Sequence, residues 1–407
     1  MQERKPYLHE DWIDPQALKI VKTLQREGFE TYLVGGCVRD LLVGIHPKDF
    51  DIATSAHPPQ VKRLIHRSNI IGRRFRLVLV RRYDSQFEIS TFRRNQIVEE
   101  LEAEAESAIE AEAAVDIVEM DSNIQEAPGE LHKVILNDNF FGTAEEDASR
   151  RDFTVNSLFY DPSARKIVDH CQGLKDIEQN IIRMIGDPYL RFVEDPIRIL
   201  RAIRLSHKIG FKLDPLLRAA IPKAAMELKK SVLPRRREEY LKILKLDDPL
   251  LALFEIYDLQ VMDVIFPSLV PVFSDQGKLE IFSTYFKRFK VSKMDSKDNA
   301  QLFSHFLMCY LKAQWGEGAL NLDALYKDRE VLNFMKDEMG MFKAESAIFF
   351  KALELLPSLN DIDYYLRKGE RRRKGFLKSE GLDLALSFGR LECSLSPGVL
   401  NFWEGQF

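Results

Sequence analysis

The sequence has 407 residues and a net charge of −4, with 45% hydrophobic and 30% charged residues, as is ordinary for a soluble globular protein. This length predicts two or three domains. The four scattered cysteines lack CxxC spacing, which argues against a zinc cluster or a disulfide framework and favours the reducing cytoplasm. We find no secretory signal and no apolar run of about 18 residues, so we expect no membrane segment.

The charge is distributed unevenly along the chain. Residues 99–130 contain 12 Asp or Glu and no Lys or Arg, whereas residues 181–245 contain 16 Lys or Arg against 7 Asp or Glu. The acidic segment predicts a solvated helix or a disordered insert that competes with nucleic acid for basic surface. The basic segment suits a phosphate backbone, although solvated basic helix faces are common.

The first predicted elements flank a pair of glycines. Asp14 as an N-cap and hydrophobic periodicity predict a helix over 15–28, with Leu18, Ile20, Val21 and Leu24 on its apolar side. A short strand over 30–34 and a second helix over 38–43 are predicted next. Gly35 and Gly36 lie between that strand and the second helix. A glycine turn at a helix start exposes backbone N–H groups to a phosphate, although a glycine pair is more often only a tight turn.

Two aspartates follow on the next predicted strand, over 49–54. Asp49 and Asp51 share a face of that strand, where like charges repel unless a cation lies between them. Two metal ions about 4 Å apart would suit this pair and align an in-line phosphoryl attack. A solvated turn and a phosphatase-type aspartyl nucleophile are alternatives, while the absence of further ligands at loop spacing argues against an EF-hand.

Two more strands are predicted downstream. Residues 70–80 form a turn that carries Arg73 and Arg74 into a strand, and clean alternation predicts another strand over 87–93. This last strand carries Glu88, and a charged residue in the middle of a strand is usually at an edge or on the surface.

A dense polar motif occupies residues 150–157. Arg150 and Arg151 present guanidinium groups that match phosphate oxygens and suit a triphosphate. Asp152 and Asn156 are four residues apart, so on a helix they share a face and reach a ribose hydroxyl together. A capping cluster at a helix start is the alternative interpretation.

The remainder is predicted to be helical. In a helix start over 191–204, Asp195 and Arg198 share a face and offer an acceptor and a donor that can read a base edge without a template. A helix-stabilising ion pair is the alternative. The cluster over 368–374 is either a solvated face or a grip on nucleic acid. The helix predicted to start at residue 233 carries three consecutive arginines, Arg235, Arg236 and Arg237.

Five motifs occur in an order that resembles the class II nucleotidyltransferases, the bacterial poly(A) polymerases and tRNA CCA-adding enzymes. They are GGCVRDLLVG over 35–44, DFD over 49–51, RRDFTVNS over 150–157, EDPIR over 194–198 and RRREE over 235–239. This resemblance implies an α+β fold class: a nucleotidyltransferase head with a mixed sheet and flanking helices, followed by an all-α neck and body. The implied domains are a catalytic head over 1–162, a helical neck over 163–250 for base selection and RNA binding, and a helical body and tail over 251–407 for RNA binding.

The resemblance also implies roles for individual residues. The family has a third metal carboxylate on the strand after the aspartate pair, and Glu88 is the acidic residue there. The implied ligands of two Mg²⁺ ions are Asp49, Asp51 and Glu88. The implied nucleotide contacts are Gly35, Gly36 and Arg39 for phosphates, Arg151, Asp152 and Asn156 for the sugar and triphosphate, and Asp195 and Arg198 for the base. The implied RNA contacts are Arg73, Arg74, Arg235, Arg236 and Arg237.

The implied reaction transfers a nucleoside monophosphate to an RNA 3′-hydroxyl. The stretch GRRFRL over 72–77 resembles the pattern in bacterial poly(A) polymerases, so we expect ATP as substrate and poly(A) tailing. Leu79 departs from the pattern, where a His is usual, and the alternative is a CCA-adding enzyme that uses CTP and ATP. An inactive RNA-binding scaffold would lack a metal carboxylate, and none is missing. We expect a cytoplasmic monomer that binds ATP and RNA 3′ ends.

Overall fold

The structure is a computed structural model, and it describes residues 8–72, 76–82, 85–94, 141–289, 292, 294–318 and 320–406. The chain divides into two compact units, Met1–Gly186 and Asp187–Phe407. The acidic segment over 99–130 and the two arginines Arg73 and Arg74 lie outside the described residues. Within the described ranges, no helix combines the length and apolar character needed to cross a membrane.

The first unit is built on a mixed sheet of seven strands. These are β1 (Thr31–Val34), β2 (Asp51–Thr54), β3 (Ser68–Ile71), β4 (Leu77–Arg82), β5 (Ser85–Thr91), β6 (Leu158–Asp161) and β7 (Lys166–Asp169). Their spatial order is β3-β4-β5-β2-β1-β6-β7, in which β2 and β5 are parallel and the other neighbours antiparallel. The predicted mixed sheet is therefore confirmed.

Helices flank this sheet, as predicted. They are α1 (Pro15–Arg26), α2 (Gly36–Val43), α3 (Pro58–Leu64), α4 (Ala144–Ser149) and α5 (Gly173–Gln179), with 3₁₀ turns at Glu10–Trp12 and Thr154–Asn156 and a short strand, β8 (Ile181–Ile182). Helix α1 begins where its cap predicts, because Asp14 accepts a hydrogen bond from the Gln16 N–H at 2.6 Å. Its residues Ile20, Val21 and Leu24 are buried on the predicted apolar side.

The first unit extends beyond the predicted head boundary at residue 162. Residues 162–165 form only the turn of a hairpin, because β7 pairs in full register with β6. The unit continues through α5 and ends at Gly186. A further division of the second unit near residue 250 stays a prediction.

Over its described residues the second unit is helical apart from a short strand, β9 (Lys212–Leu213), which confirms the predicted helical neck and body. Its helices are α6 (Pro188–Glu194), α7 (Ile197–Ile209), α8 (Pro215–Ala224), α9 (Leu233–Leu244), α10 (Pro249–Asp258), α11 (Met262–Ile265), α12 (Val270–Ser274), α13 (Gln276–Lys287), α14 (Asn299–Trp315), α15 (Leu322–Leu325), α16 (Arg329–Asn333), α17 (Lys343–Leu355), α18 (Ile362–Arg367), α19 (Glu370–Leu377), α20 (Leu382–Leu391) and α21 (Pro397–Glu404). Shorter 3₁₀ segments occupy Ala225–Lys230, Pro267–Leu269 and Leu356–Asn360, and Phe334–Glu338 is a π-helix.

The helix predicted over 191–204 is in fact two helices, α6 and α7. Asp195 has extended backbone angles, with φ −144° and ψ 95°, and separates them. The ring of Pro196 disfavours helical angles at the residue before it, and proline has no N–H to continue the ladder. The break therefore sets Asp195 outside both helices.

Phenylalanines dominate the core of the second unit. Pairs among Phe266, Phe282, Phe306 and Phe334 have ring centroids 5.7 to 6.1 Å apart, mostly tilted or edge-to-face. Such pairs contribute about 0.5–1.5 kcal/mol beyond their buried area. These phenylalanines therefore serve as core residues of the second unit.

His305 is fully buried in the same unit. Its burial predicts that the protein loses stability in acid. Burial lowers the pKa of His305 from 6.5 to about 4, so the native state holds the neutral ring while the unfolded chain takes up a proton below pH 6.5. Between pH 6.5 and 4 the free energy of unfolding should fall by at most about 3 kcal/mol. Urea unfolding at pH 7 and pH 5 should show a smaller acid loss in His305→Gln than in wild type, and an equal loss would contradict the assignment.

Candidate active site

Gly35 lies between β1 and helix α2, as the N-cap residue of that helix. Its φ of +76° lies in the left-handed region that favours glycine, and a Cβ there would lie 2.8 Å from Nη1 of Arg151. Gly36 follows as the first residue of α2. Gly35 gives helix α2 no side-chain cap, and the N–H groups at a helix start are suited to bind an anion.

Asp51 and Glu88 meet across two parallel strands. Asp51 is the first residue of β2, and it lies opposite Glu88 of β5 in register. The predicted strand start at Asp49 is two residues too early, because the partner strand β1 ends at the residue paired with Asp51. The alternation holds nevertheless, since Phe50 and Ile52 are buried while Asp49, Asp51 and Glu88 are exposed.

The pKa of Asp51 rises to about 6. Desolvation by the atoms packed around the carboxyl group is the main cause, although the residue as a whole is exposed. The Glu88 carboxylate raises the pKa further, the Arg151 guanidinium lowers it, and Asp49 adds a further rise. The charges of Glu88, Arg151 and Asp49 therefore all act on Asp51, at the start of a central strand of the sheet.

The carboxylates are chemically suited to Mg²⁺. This ion usually takes one or two protein carboxylates together with water and substrate phosphates. Over the described ranges, no three His, Cys, Asp or Glu side chains are grouped so as to hold an ion by themselves. A cation between Asp51 and its acidic neighbours would relieve the repulsion that raises its pKa. The residues present thus fit Mg²⁺ held jointly with water and a triphosphate.

Arg39 is buried and supports the glycine turn. Its Nε and Nη2 donate to Oδ1 of Asp40 at 2.9 and 2.5 Å, and its Nη1 donates to Oδ1 of Asn156. Only 5% of the residue is exposed. This corrects the expectation that Arg39 contacts phosphate directly, because its guanidinium is directed to protein carboxylate and amide oxygens. Arg39 instead joins α2 to the 150–157 motif.

Arg151 is a cation whose charge acts on Asp51. Its Nη2 donates to Oδ2 of Asp147 at 3.0 Å, and its Nη1 donates to the carbonyl of Asn156 at 3.2 Å. The guanidinium also lies 5.1 Å from the ring centroid of Phe159. These contacts hold it where it lowers the pKa of Asp51. Sequence analysis missed Asp147 as the partner, although its i,i+4 spacing from Arg151 was a signal.

Asp152 and Asn156 form the predicted pair, although the predicted helix is absent. Nδ2 of Asn156 donates to Oδ1 of Asp152 at 2.9 Å. The intervening Phe153 is extended, with φ −123° and ψ 146°, because it forms an antiparallel bridge with Met184. A single 3₁₀ turn, Thr154–Asn156, then brings the amide back to the carboxylate.

A buried network that sequence analysis did not anticipate holds this turn in place. The hydroxyl of Thr154 donates to Asp176 at 2.6 Å, and Nε of Arg183 donates to both oxygens of the same carboxylate at 3.1 and 3.2 Å. Asp176 is 2% exposed. A Cβ on Gly173 would lie 2.3 Å from the Thr154 carbonyl, so α5 packs against the turn only through glycine.

In the second unit, Asp195 and Arg198 make side-chain contacts with other residues rather than with each other. Oδ2 of Asp195 accepts from Nη2 of Arg235 at 2.9 Å. Nη1 of Arg198 donates to Glu194 and to the Arg191 carbonyl, both at 2.8 Å. The break before Pro196 explains this separation, since Asp195 precedes α7 in an extended conformation while Arg198 lies within it.

The three consecutive arginines of α9 differ in environment. Arg235 is exposed and Arg236 half-buried, whereas Arg237 is buried. Nε of Arg237 donates to the Gly340 carbonyl at 2.9 Å, and its Nη2 pairs with Glu345. This corrects the expectation that Arg237 contacts RNA, because its guanidinium is directed into the helical core.

Two family models match the chain. Residues 31–183 match the poly A polymerase head domain, and residues 210–272 match the probable RNA and SrmB-binding site of polymerase A. The chain is 32% identical over 413 residues to Poly(A) polymerase I of Haemophilus influenzae, a match that covers 96% of this chain and 84% of that protein. The chain belongs to the poly(A) polymerase and CCA-adding enzyme family. As a member of this family, it is a nucleotidyltransferase.

Both branches of the family are among its relatives. Poly(A) polymerase I of Salmonella typhi is 35% identical over 265 residues, or 65% of this chain and 52% of that protein. The CCA-adding enzyme of Lactobacillus helveticus is 36% identical over 228 residues, or 56% of this chain and 49% of that protein. The matched segments thus span about half the length of these two relatives.

Solved structures of CCA-adding enzymes share the fold. The Thermotoga maritima CCA-adding enzyme, solved in complex with tRNA, has a TM-score of 0.57 and 19% sequence identity, covering 97% of this chain and 82% of that one. The shared architecture is the nucleotidyltransferase head followed by a helical region, as the motifs predicted.

Proposed function

We propose that the protein is a template-independent polynucleotide adenylyltransferase, which adds AMP from ATP to RNA 3′-hydroxyl ends as poly(A) tails. The observation that carries this proposal is the extent of the match to a poly(A) polymerase I. That match covers 96% of the chain, whereas the Lactobacillus helveticus CCA-adding enzyme matches 56%. The chemistry of the head would serve either activity, and similarity beyond the head favours adenylation.

In the proposed reaction, the RNA 3′-hydroxyl attacks the α-phosphorus of ATP and pyrophosphate leaves. Asp49, Asp51 and Glu88 would hold two Mg²⁺ ions, which when bound lower the pKa of the attacking hydroxyl and neutralise charge on the leaving group. Arg151, which lowers the pKa of Asp51, supplies positive charge for the triphosphate. The N–H groups that follow Gly35 bind phosphate oxygens.

Two further pairs would position the nucleotide. The Asp152–Asn156 pair, fixed by the Thr154–Asp176 hydrogen bond, presents an acceptor and a donor to the ribose. Asp195 and Arg198 are oriented separately, and each keeps hydrogen-bonding capacity, since a guanidinium has five N–H donors and a carboxylate accepts about four bonds. We propose that these free edges select adenine.

The RNA contacts we propose are basic side chains outside the carboxylate site. Arg235 and Arg236 lie in the segment that matches the RNA-binding family model, and Arg235 is exposed. Arg73 and Arg74, which lie outside the described residues, remain proposed contacts on the basis of the sequence resemblance. We propose a cytoplasmic monomer as the working form, with RNA 3′ ends and ATP as partners.

The test is incubation with Mg²⁺, labelled RNA and each nucleoside triphosphate separately. Long tails formed from ATP alone on generic RNA are the expected result. Addition of a short CTP-dependent sequence, only to tRNA lacking its 3′ terminus, would overturn the proposal in favour of CCA addition. That second candidate is supported by the 36% identity to the Lactobacillus helveticus enzyme. No transfer from any nucleotide would instead favour the inactive scaffold.

A further inference from the structure

We infer that a groove between helices α18 and α19 of the second unit binds single-stranded RNA. The groove has a volume of about 600 Å³. It is lined by Tyr364, Arg367, Lys368, Gly369, Arg372 and Phe376. These residues lie outside both segments matched by the family models. The inference rests on the proposed function, because it supplies the RNA partner of that activity with a second binding surface.

The groove is strongly basic, and many of its charged side chains are exposed to solvent. Residues 364–378 contain seven Lys or Arg and one Asp or Glu. That single acid, Glu370, pairs with Lys374 at 2.7 Å. Arg367, Arg371 and Arg372 are exposed, and within the described part of the chain no carboxylate forms an ion pair with them. Like charges this close together destabilise a helix, so an anionic ligand would stabilise the segment.

Aromatic rings accompany these charges. Tyr364 is 54% exposed, and its ring centroid lies 4.4 Å from Nζ of Lys368. The same ammonium lies 5.1 Å from the ring centroid of Phe376, which packs against Trp403 at 5.4 Å. The lysine is therefore held in place between one exposed ring and one anchored ring. This arrangement gives the groove a fixed cation beside an accessible aromatic surface.

This combination identifies the class of ligand. A phosphate backbone satisfies the arginines, and an unpaired base stacks on the exposed ring of Tyr364. Duplex RNA hides the faces of its bases, so it would use the charges without the ring. An acidic peptide would likewise gain little from Tyr364. Single-stranded RNA uses both features, and a growing homopolymeric tail is such a strand.

The test measures RNA binding by full-length protein, by fluorescence anisotropy without ATP. The probes are a single-stranded oligoadenylate of about 20 nucleotides and a duplex of the same length. Tyr364→Ala should weaken binding of the single strand about tenfold and leave duplex binding unchanged, while Tyr364→Phe should bind as wild type because it keeps the ring. Arg367→Ala with Arg372→Ala should lower the slope of log affinity against log salt by about 1.4, as expected for two lost phosphate contacts.

Charge-matched and stability controls complete the test. Lys22→Ala with Arg26→Ala removes two exposed cations from α1 of the first unit and should leave the salt slope as in wild type. Thermal unfolding should be unchanged in every variant. The inference is overturned if Tyr364→Ala binds the single strand as wild type does, or if the α1 control weakens binding equally. Because binding is measured without ATP, failure to add AMP would refute the proposed function and leave this inference standing.

Discussion

Asp51→Asn is expected to lower the rate of AMP transfer about a thousandfold, since metal-assisted charge stabilisation is worth several kcal/mol. The substitution keeps the size of the side chain and removes the charge that faces Glu88 in register. Steady-state transfer of labelled AMP to RNA, at saturating ATP, measures the effect. A rate within about tenfold of wild type would refute the metal assignment.

The same substitution should not destabilise the protein. Because the pKa of Asp51 is raised to about 6 in the fold, its contribution to stability is present at low pH and is lost as the pH rises towards 6. At pH 7 the charged form is therefore held against an electrostatic cost, which Asn removes. Unfolding at pH 7 should occur at an equal or higher urea concentration. Glu27→Gln, an exposed change in the same unit, should alter neither the rate nor the stability.

The role of Glu88 is tested by comparing Glu88→Gln with Asp51→Asn. It lies opposite Asp51 and raises the pKa of Asp51, but the three carboxylates are not grouped as a set of direct ligands among the described residues. If Glu88→Gln reduces the rate as strongly as Asp51→Asn, Glu88 binds a metal ion. If it reduces the rate by less than about tenfold, Glu88 acts only through its charge.

The parts of the head that follow from local pattern could be predicted from the sequence. Strand alternation placed Asp51 and Phe50 on opposite faces, and the structure agrees because the side-chain period of a strand is two. A capping aspartate placed the start of α1. Even the Asp152–Asn156 contact was anticipated, although a 3₁₀ turn rather than an α-helix produces it.

What could not be predicted depends on residues far away in the sequence. Arg39 was expected to face a phosphate, and it is instead bound by Asn156, 117 residues further along the chain. Asp176 of α5 supports the Thr154–Asn156 turn through Thr154, 22 residues earlier in the chain. In each case the local sequence identifies the donor, while the tertiary fold determines its acceptor.

The candidate active site therefore joins two motifs through direct hydrogen bonds. Arg39 connects the α2 helix to Asn156, and Arg151 connects the same motif to Asp147. Each guanidinium thereby restricts the neighbouring backbone. Gly35 leaves room for the guanidinium of Arg151. Such preorganisation lowers the entropy that the site loses when a triphosphate is positioned for attack.

Arg237→Ala is expected to reduce the free energy of unfolding by about 3–5 kcal/mol, because it leaves the buried carboxylate of Glu345 without its cation. The guanidinium also lies 4.2 Å from the ring centroid of Phe342, so packing is lost as well as charge. Urea unfolding followed by circular dichroism measures the loss. Replacement of both partners, Arg237→Met with Glu345→Leu, should restore most of it, since no buried charge then remains unpaired.

The neighbouring Arg235 provides the matched contrast. Its ion pair with Asp195 is exposed, so Arg235→Ala should cost less than about 1 kcal/mol of stability. If Arg235 contacts RNA as proposed, that variant should bind RNA more weakly and with a smaller salt dependence, whereas folded Arg237→Ala should bind RNA as wild type does. Normal stability of Arg237→Ala together with weakened RNA binding would reverse the two roles. The two arginines are separated by only one residue, and their opposite responses would show that burial, not position in a basic run, decides which of them is available to RNA.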